Sequence, residues 1–199
     1  MSETALTSEQ ILEAAGDVLR RFGPTKANVV DVARALGVSH GSVYRHFASK
    51  ATLRDSVAER WLARISAPLA KVAATPGPAP ERLRRWFDRL LAMKRKKALD
   101  DPELFAAYSQ LVGESRDVVR GHVDALTAQL AQIIADGVKS RELTVDDPEA
   151  AARAAFSATA RFHNPVHAGE WNDKACDDAF EEVFALVLRG LGAKTRRAR

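Results

Sequence analysis

Apolar residues recur at intervals of three and four along nearly the whole chain, the period of one helical face. Between residues 8 and 22, Ile11, Leu12, Ala15, Val18, Leu19 and Phe22 form such a stripe. It predicts a first helix over Ser8–Phe22, capped by Ser8 and stopped by Gly23 and Pro24. Asn28 is placed to cap a second helix, Val29–Leu36, in which Val29, Val32, Ala33 and Leu36 keep the same spacing. Asp31 falls where a carboxylate meets free backbone N–H groups. Gly37 ends that helix, only Val38 intervenes, and Ser39 caps a third helix over residues 40–47. Two short helices joined this tightly cannot lie antiparallel. They must cross steeply, which is the geometry of a helix-turn-helix.

The remaining pattern predicts helices over residues 50–74, 81–99, 102–112, 116–139, 148–162 and 170–191, the first of these capped by Ser49. Asp101 before Pro102 and Asp147 before Pro148 read as caps followed by proline at the first helical position. The stretch 75–80 holds three prolines in six residues, which excludes helix and marks an internal hinge or loop. No stretch alternates with period two over strand length, so the expected fold class is all-α.

The chain has 199 residues, a formal net charge of +4 and one cysteine. A core of this size needs no staples, and a single cysteine excludes a disulfide framework or a multi-cysteine metal site. The first ten residues carry Glu3 and Glu9 and no apolar core, unlike a secretory signal. The longest clean apolar run near the C-terminus, residues 183–188, is far short of the roughly 20 residues of a membrane span. A cytoplasmic protein with no membrane partner is expected.

The placement of charge says more than its sum. Residues 20–54 hold seven basic side chains against Asp31, residues 81–97 hold eight against two acids, and Lys194, Arg196, Arg197 and Arg199 crowd the tail. The rest of the chain is therefore strongly acidic. Such segregation suits one surface facing a polyanion, the competing account being ordinary solvated helix faces.

Residues 37–50 carry the candidate chemistry. Val38, Val43 and Phe47 would hold the third helix in place, and its other face offers Ser39, His40, Ser42, Tyr44, Arg45 and His46. Small hydroxyls and Gly41 at its start allow close approach to a major groove, leaving side chains that can reach base edges. Tyr44 and His46 on the flanks suit phosphates, as does Lys50 opening the next helix.

Residues 9–61 resemble the DNA-binding domain of the TetR (tetracycline-repressor-like) transcription regulators. The resemblance rests on Ile11-Leu12-Glu13-Ala14-Ala15, Val32-Ala33, Leu36-Gly37-Val38-Ser39, Gly41-Ser42-Val43-Tyr44-Arg45-His46-Phe47 and Ser49-Lys50. The family often has a threonine pair before its second helix; here Ala27 and Asn28 stand there, leaving Thr25 or Lys26 to touch phosphate. The resemblance implies an N-terminal three-helix DNA-binding domain, residues 1–65 with its helix-turn-helix at about 28–47, in which Ser39, His40 and Ser42 would face bases and Tyr44, His46 and Lys50 would bind phosphates. It also implies a C-terminal helical domain, residues 66–199, for dimerisation and ligand binding. The implied partners are a pseudo-palindromic duplex operator, a second copy of the chain and a small-molecule effector that releases a repressor from DNA.

Candidate residues for an apolar effector cavity are Trp86, Leu90, Met93, Phe105, Tyr108, Phe156 and Phe162. Core packing is the competing role for each. Phe156, Phe180, Val183, Phe184 and Val187 are the expected dimer face, in a four-helix bundle made by two helices of each subunit. His163 and His167 flank Pro165, which breaks the helix that would align them, so no metal site is expected, and no cofactor. Cys176 reads as a small core residue. The amphipathic basic stretch 81–97 would also suit a membrane surface or RNA, but beside a DNA-reading head a solvated or DNA-facing surface is simpler. No Gly-rich phosphate loop, nucleophile elbow or metal cluster points to an enzyme.

Overall fold

The computed structural model describes residues 6–23 and 28–193, and among these it is built of helices and turns without a strand. The order is α1 (Ser8–Phe22), α2 (Val29–Leu36), α3 (His40–Tyr44), α4 (Lys50–Ala73), α5 (Ala79–Asp100), α6 (Pro102–Glu114), α7 (Arg116–Lys139), α8 (Pro148–Ala158) and α9 (Lys174–Gly190). They fall into two compact units, residues 1–64 with 100–122, and residues 65–99 with 123–199.

Local rules set most boundaries. The cap of α1 is Thr7 rather than the expected Ser8, because Gln10 completes a capping box with Thr7. Thr7 accepts from the Gln10 amide at 3.2 Å while the Gln10 side chain accepts from the Thr7 amide at 2.9 Å. Asn28 Oδ1 accepts from the amides of Val30 and Asp31, as the cap of α2 should. Gly37 takes the left-handed conformation, φ 66°, and Val38 N–H returns to the Ala33 carbonyl at 3.0 Å. Ser39 Oγ then caps α3, and Ser49 Oγ accepts from Thr52 N–H in the first turn of α4.

The expected third helix, 40–47, is shorter in the structure, ending at Tyr44 with Arg45, His46 and Phe47 in tight turns on the carbonyls of Gly41 and Val43. Pro80 also departs from expectation. Only Pro76 and Pro78 lie in the loop, while Pro80 sits in the first turn of α5, where a missing N–H leaves no bond unmade. The expected helix over 148–162 breaks at Thr159, whose hydroxyl donates back to the Ala155 carbonyl at 2.9 Å, and 3-10 turns cover Ala160–Phe162 and Pro165–Glu170. Asp173 then caps α9, three residues later than the expected helix start.

In the first unit, Ile11, Ala15 and Leu19 of α1 are buried with Val29, Val32 and Ala33 of α2, Val43, and Leu53, Val57 and Trp61 of α4. Tyr108 of α6 stacks on Trp61 with ring centroids 5.0 Å apart. Ser115 donates to Asp55 at 2.6 Å, and Arg54 pairs with Glu114. These contacts brace the helix that α3 leans on.

In the second unit, Trp86, Phe87 and Leu90 of α5 pack with Leu130, Ile133 and Ile134 of α7, and with Phe162, Phe180 and Phe184. Several of its buried polar groups are satisfied in pairs. Trp86 Nε1 donates to Gln129, which donates to the Ser66 carbonyl, and Arg82 bonds Asp136 and the Ala73 carbonyl. At Gly137 a Cβ would lie 2.6 Å from that of Ala79, so only glycine permits this approach of α5 to α7.

Candidate nucleic-acid interface

The first unit presents α3 with its apolar side inward. Val43 and Phe47 are buried and Val38 is half-buried, so hydrophobic burial fixes the rotation of the helix about its axis. That rotation leaves Ser39, His40, Gly41, Tyr44, Arg45 and His46 exposed and Ser42 half-buried.

The three candidate base readers differ in freedom. Ser39 Oγ accepts from Ser42 N–H at 3.2 Å and lies 2.9 Å from Ser42 Oγ, so its hydroxyl already serves the helix start. Ser42 Oγ accepts in turn from Arg45 Nη2 at 3.1 Å. His40 is exposed one residue into the helix. Arg45 was not among the expected base readers, yet its exposed guanidinium is held over the same face by Ser42. Its three-residue spacing from Ser42 was the available signal. A guanidinium there suits the two acceptors on a guanine edge.

The phosphate candidates flank this face. Tyr44, 48% exposed, and Lys50 share a shallow hollow of about 390 Å³ with Asn28, Val29, Val30 and Asp31. The Asp31 carboxylate is engaged by Arg34 at 3.1 Å and by Asn28 Nδ2 at 2.6 Å. The hollow therefore combines a hydroxyl, an exposed ammonium and the start of α2, the components of a phosphate seat. His46 Nδ1 lies 3.1 Å from Ser8 Oγ at the start of α1. Lys26 lies outside the described residues.

The residues expected to line an effector cavity fall in both units. Phe105 and Tyr108 belong to the first unit, against Trp61, and the other five to the second. Trp86, Leu90 and Phe162 are sealed in the core there, whereas Met93 and Phe156 are half-buried. Helical spacing is the same for a core stripe and a cavity wall, so it could not separate the two. A hollow of about 640 Å³ in the second unit is lined instead by polar and small residues, among them Asp124, Gln132, Asp147 and Arg153.

Within one chain the expected dimer face is partly covered. Phe180 and Phe184 are 3% and 4% exposed within one chain, packed on Phe87, with the Arg84 guanidinium over both rings. Val183, Val187 and Phe156 are half-buried, and Leu186 on the outer side of α9 is 62% exposed. The basic stretch 81–97 is likewise spent inside its own unit to a large degree. Arg84 pairs with Asp88 and Glu181, which raises its pKa further, Arg95 pairs with Asp177, and Arg82 is buried on Asp136.

Two buried polar side chains stand out in the second unit. Lys94 continues the face of Trp86 and Leu90 and is 6% exposed; burial, with Lys97 adding to it, lowers its pKa from 10.5 to about 8. His163 is 5% exposed, and burial followed by the charge of Lys94 lowers its pKa to about 4. His163 Nε2 donates to the Phe156 carbonyl at 3.2 Å, and its ring stacks on Phe156 at 4.3 Å. His167 instead faces Glu170, so the two histidines do not converge. Among the described residues, no group of three or more His, Cys, Asp or Glu is placed to hold a metal ion, and no helix is long and apolar enough to cross a membrane.

Residues 11–57 match the family model for bacterial regulatory proteins of the tetR family, and residues 79–184 match that for the tetracyclin repressor-like C-terminal domain. An uncharacterised HTH-type transcriptional regulator of Mycobacterium tuberculosis is 29% identical over 153 residues, covering 76% of this chain and 70% of that protein. SmeT, the repressor of the Stenotrophomonas maltophilia multidrug efflux pump SmeDEF, superposes with a TM-score of 0.70 at 18% identity, covering 96% of this chain and 92% of its own. A protein of unknown function from Rhodococcus sp. RHA1 superposes with a TM-score of 0.68 at 24% identity, covering 97% and 98%. At such identities the structural likeness speaks for the fold.

Proposed function

This chain belongs to the TetR family of bacterial transcription regulators, and from that premise we propose that it is a cytoplasmic, homodimeric repressor released from its operator by a small-molecule effector. Residues 1–65 would read DNA and residues 66–199 would dimerise and bind the effector. The observation that carries the reading is the division of α3, with Val43 and Phe47 buried behind an exposed row of hydrogen-bonding side chains. His40, Ser42 and Arg45 address base edges, with Ser39 closing the helix start beside them. Tyr44, His46, Lys50 and Lys26 bind phosphates.

Two copies bring two such helices to half-sites about 34 Å apart, which calls for a pseudo-palindromic operator. Val183, Val187 and Leu186 on the outer side of α9, with Phe156, supply the apolar surface for pairing. The effector acts by binding more tightly to a conformer whose two reading heads no longer match successive major grooves. That SmeT is a repressor supports the direction of control.

The test is footprinting on the protein's own upstream region, followed by fluorescence anisotropy across a salt series. Lys50→Ala and Tyr44→Phe are expected to weaken binding on all sequences, with Lys50→Ala lowering the salt slope by about 0.9. Unchanged affinity and slope in both variants would remove the phosphate assignment. A stable monomer in solution scattering would remove the two-half-site mechanism.

A further inference from the structure

Lys94 is the second unit's outstanding unexplained group. Its side chain follows Trp86 and Leu90 down the buried face of α5. Among the described residues no hydrogen bond or ion pair to its ammonium is found, although three arginines on the same helix have an acid, Arg82 with Asp136, Arg84 with Glu181 and Arg95 with Asp177. The charge felt from its surroundings is repulsive, coming from Lys97. At neutral pH the amine, with its pKa near 8, remains mostly protonated. A buried cation without a counter-charge costs free energy until an anion reaches it.

The surroundings describe that anion. Trp86 faces Phe156 at 6.4 Å, and about two turns further on Lys94 and His163 lie close enough for the amine's charge to depress the imidazole. His163 stacks on Phe156 and donates Nε2–H to the Phe156 carbonyl; burial and the Lys94 charge keep the ring neutral, so it adds a flat, largely apolar wall. Met93 and Lys97 beside the amine are half-buried, which leaves it under a thin and adaptable cover. One ammonium matches a single negative charge. A phosphate dianion would call for a second cation or a bidentate guanidinium.

We propose that Lys94, beside the Phe156 and His163 rings, is the recognition point for the carboxylate of a small, largely apolar organic acid bound in the second unit. This rests on the reading of that unit as the effector-binding body and names the effector's chemical class. The acid places its carboxylate on the Lys94 ammonium and its apolar part against the two rings. It thereby supplies the counter-charge that the free protein lacks.

The experiment uses the full chain and a panel of benzoate, octanoate, acetate and inorganic phosphate, with benzamide and octanamide as neutral matches, by calorimetry and thermal shift. Benzoate or octanoate is expected to bind the wild-type protein and raise its unfolding midpoint, with the amides at least tenfold weaker. Lys94→Met, which keeps the volume and removes the charge, is expected to lose at least tenfold in carboxylate affinity while its own midpoint rises. Should that variant not fold, the wild-type protein still decides. Carboxylate affinity must fall about tenfold per pH unit above about pH 8, where the amine of the free protein loses its proton. Binding of no member of the panel, equal binding of acids and amides, binding of acetate or phosphate alone, or affinity independent of pH would each overturn the assignment. DNA affinity of the ligand-free protein is measured in parallel. Loss of operator binding with carboxylate binding intact would refute the repressor reading, whereas intact operator binding without carboxylate binding would refute the effector class alone.

Discussion

Acidification should act on the second unit through His163. In the folded chain its ring is nearly sealed and remains neutral until about pH 4, because burial and then the Lys94 charge disfavour the imidazolium. In the unfolded chain the ring takes a proton near its ordinary 6.5. Between these two values the unfolded state holds the extra proton, so stability is fully present above 6.5 and is lost as pH falls toward 4. At about 1.4 kcal/mol per pH unit the loss from this one ring approaches about 3 kcal/mol, a large share of the stability of a domain. Urea midpoints measured across that window for the wild-type protein and for His163→Gln isolate the contribution. Glutamine retains an N–H for the Phe156 carbonyl but does not titrate. The variant should therefore lose about 3 kcal/mol less than wild type over the same window. If both proteins lose stability in parallel, burial of His163 is not what sets the acid sensitivity.

Three further outcomes follow from particular contacts. Lys94 acts with the same sign in an alkaline window: its pKa is depressed from 10.5 to about 8, so wild-type stability should rise between pH 8 and 10.5, and that rise should vanish in Lys94→Met. Phe180→Ala removes a ring packed on Phe87, Phe162 and Phe184 and should cost about 3–5 kcal/mol in chemical denaturation; a folded monomer of unchanged stability would return Phe180 to the dimer face. Asn28→Ala frees the amides of Val30 and Asp31 and should cost about 1 kcal/mol in thermal unfolding, a loss that Asn28→Ser should largely restore.

Much of the reading head was legible in the chain because its determinants are local. A cap and the amides it serves lie two or three residues apart, and Asn28, Ser39, Ser49, Asp101 and Asp147 all cap where the pattern placed them. A glycine between two short helices leaves only a steep crossing, and Gly37 adopts the left-handed conformation that this turn requires. Where local cues competed, the finer one won: Thr7 displaced Ser8 because Gln10 could answer it, and Thr159 interrupted an alanine-rich helix by bonding to its own turn.

The second unit was less legible because its questions are non-local. An apolar stripe at helical spacing shows that a face is buried without showing what covers it. For Phe180 and Phe184 the cover within the chain includes Phe87, some ninety residues earlier. The basic run on α5 likewise loses much of its outward charge once Asp136, Asp177 and Glu181 come to meet it. The order of apolar and polar residues was enough for the helices, their caps and the chemistry displayed by α3, since these depend on neighbours within a turn. Which aromatic rings close the core, and which cation is buried without an acid, depended on side chains brought together from distant parts of the chain. Lys94 reads as one more lysine in a basic run until folding buries it.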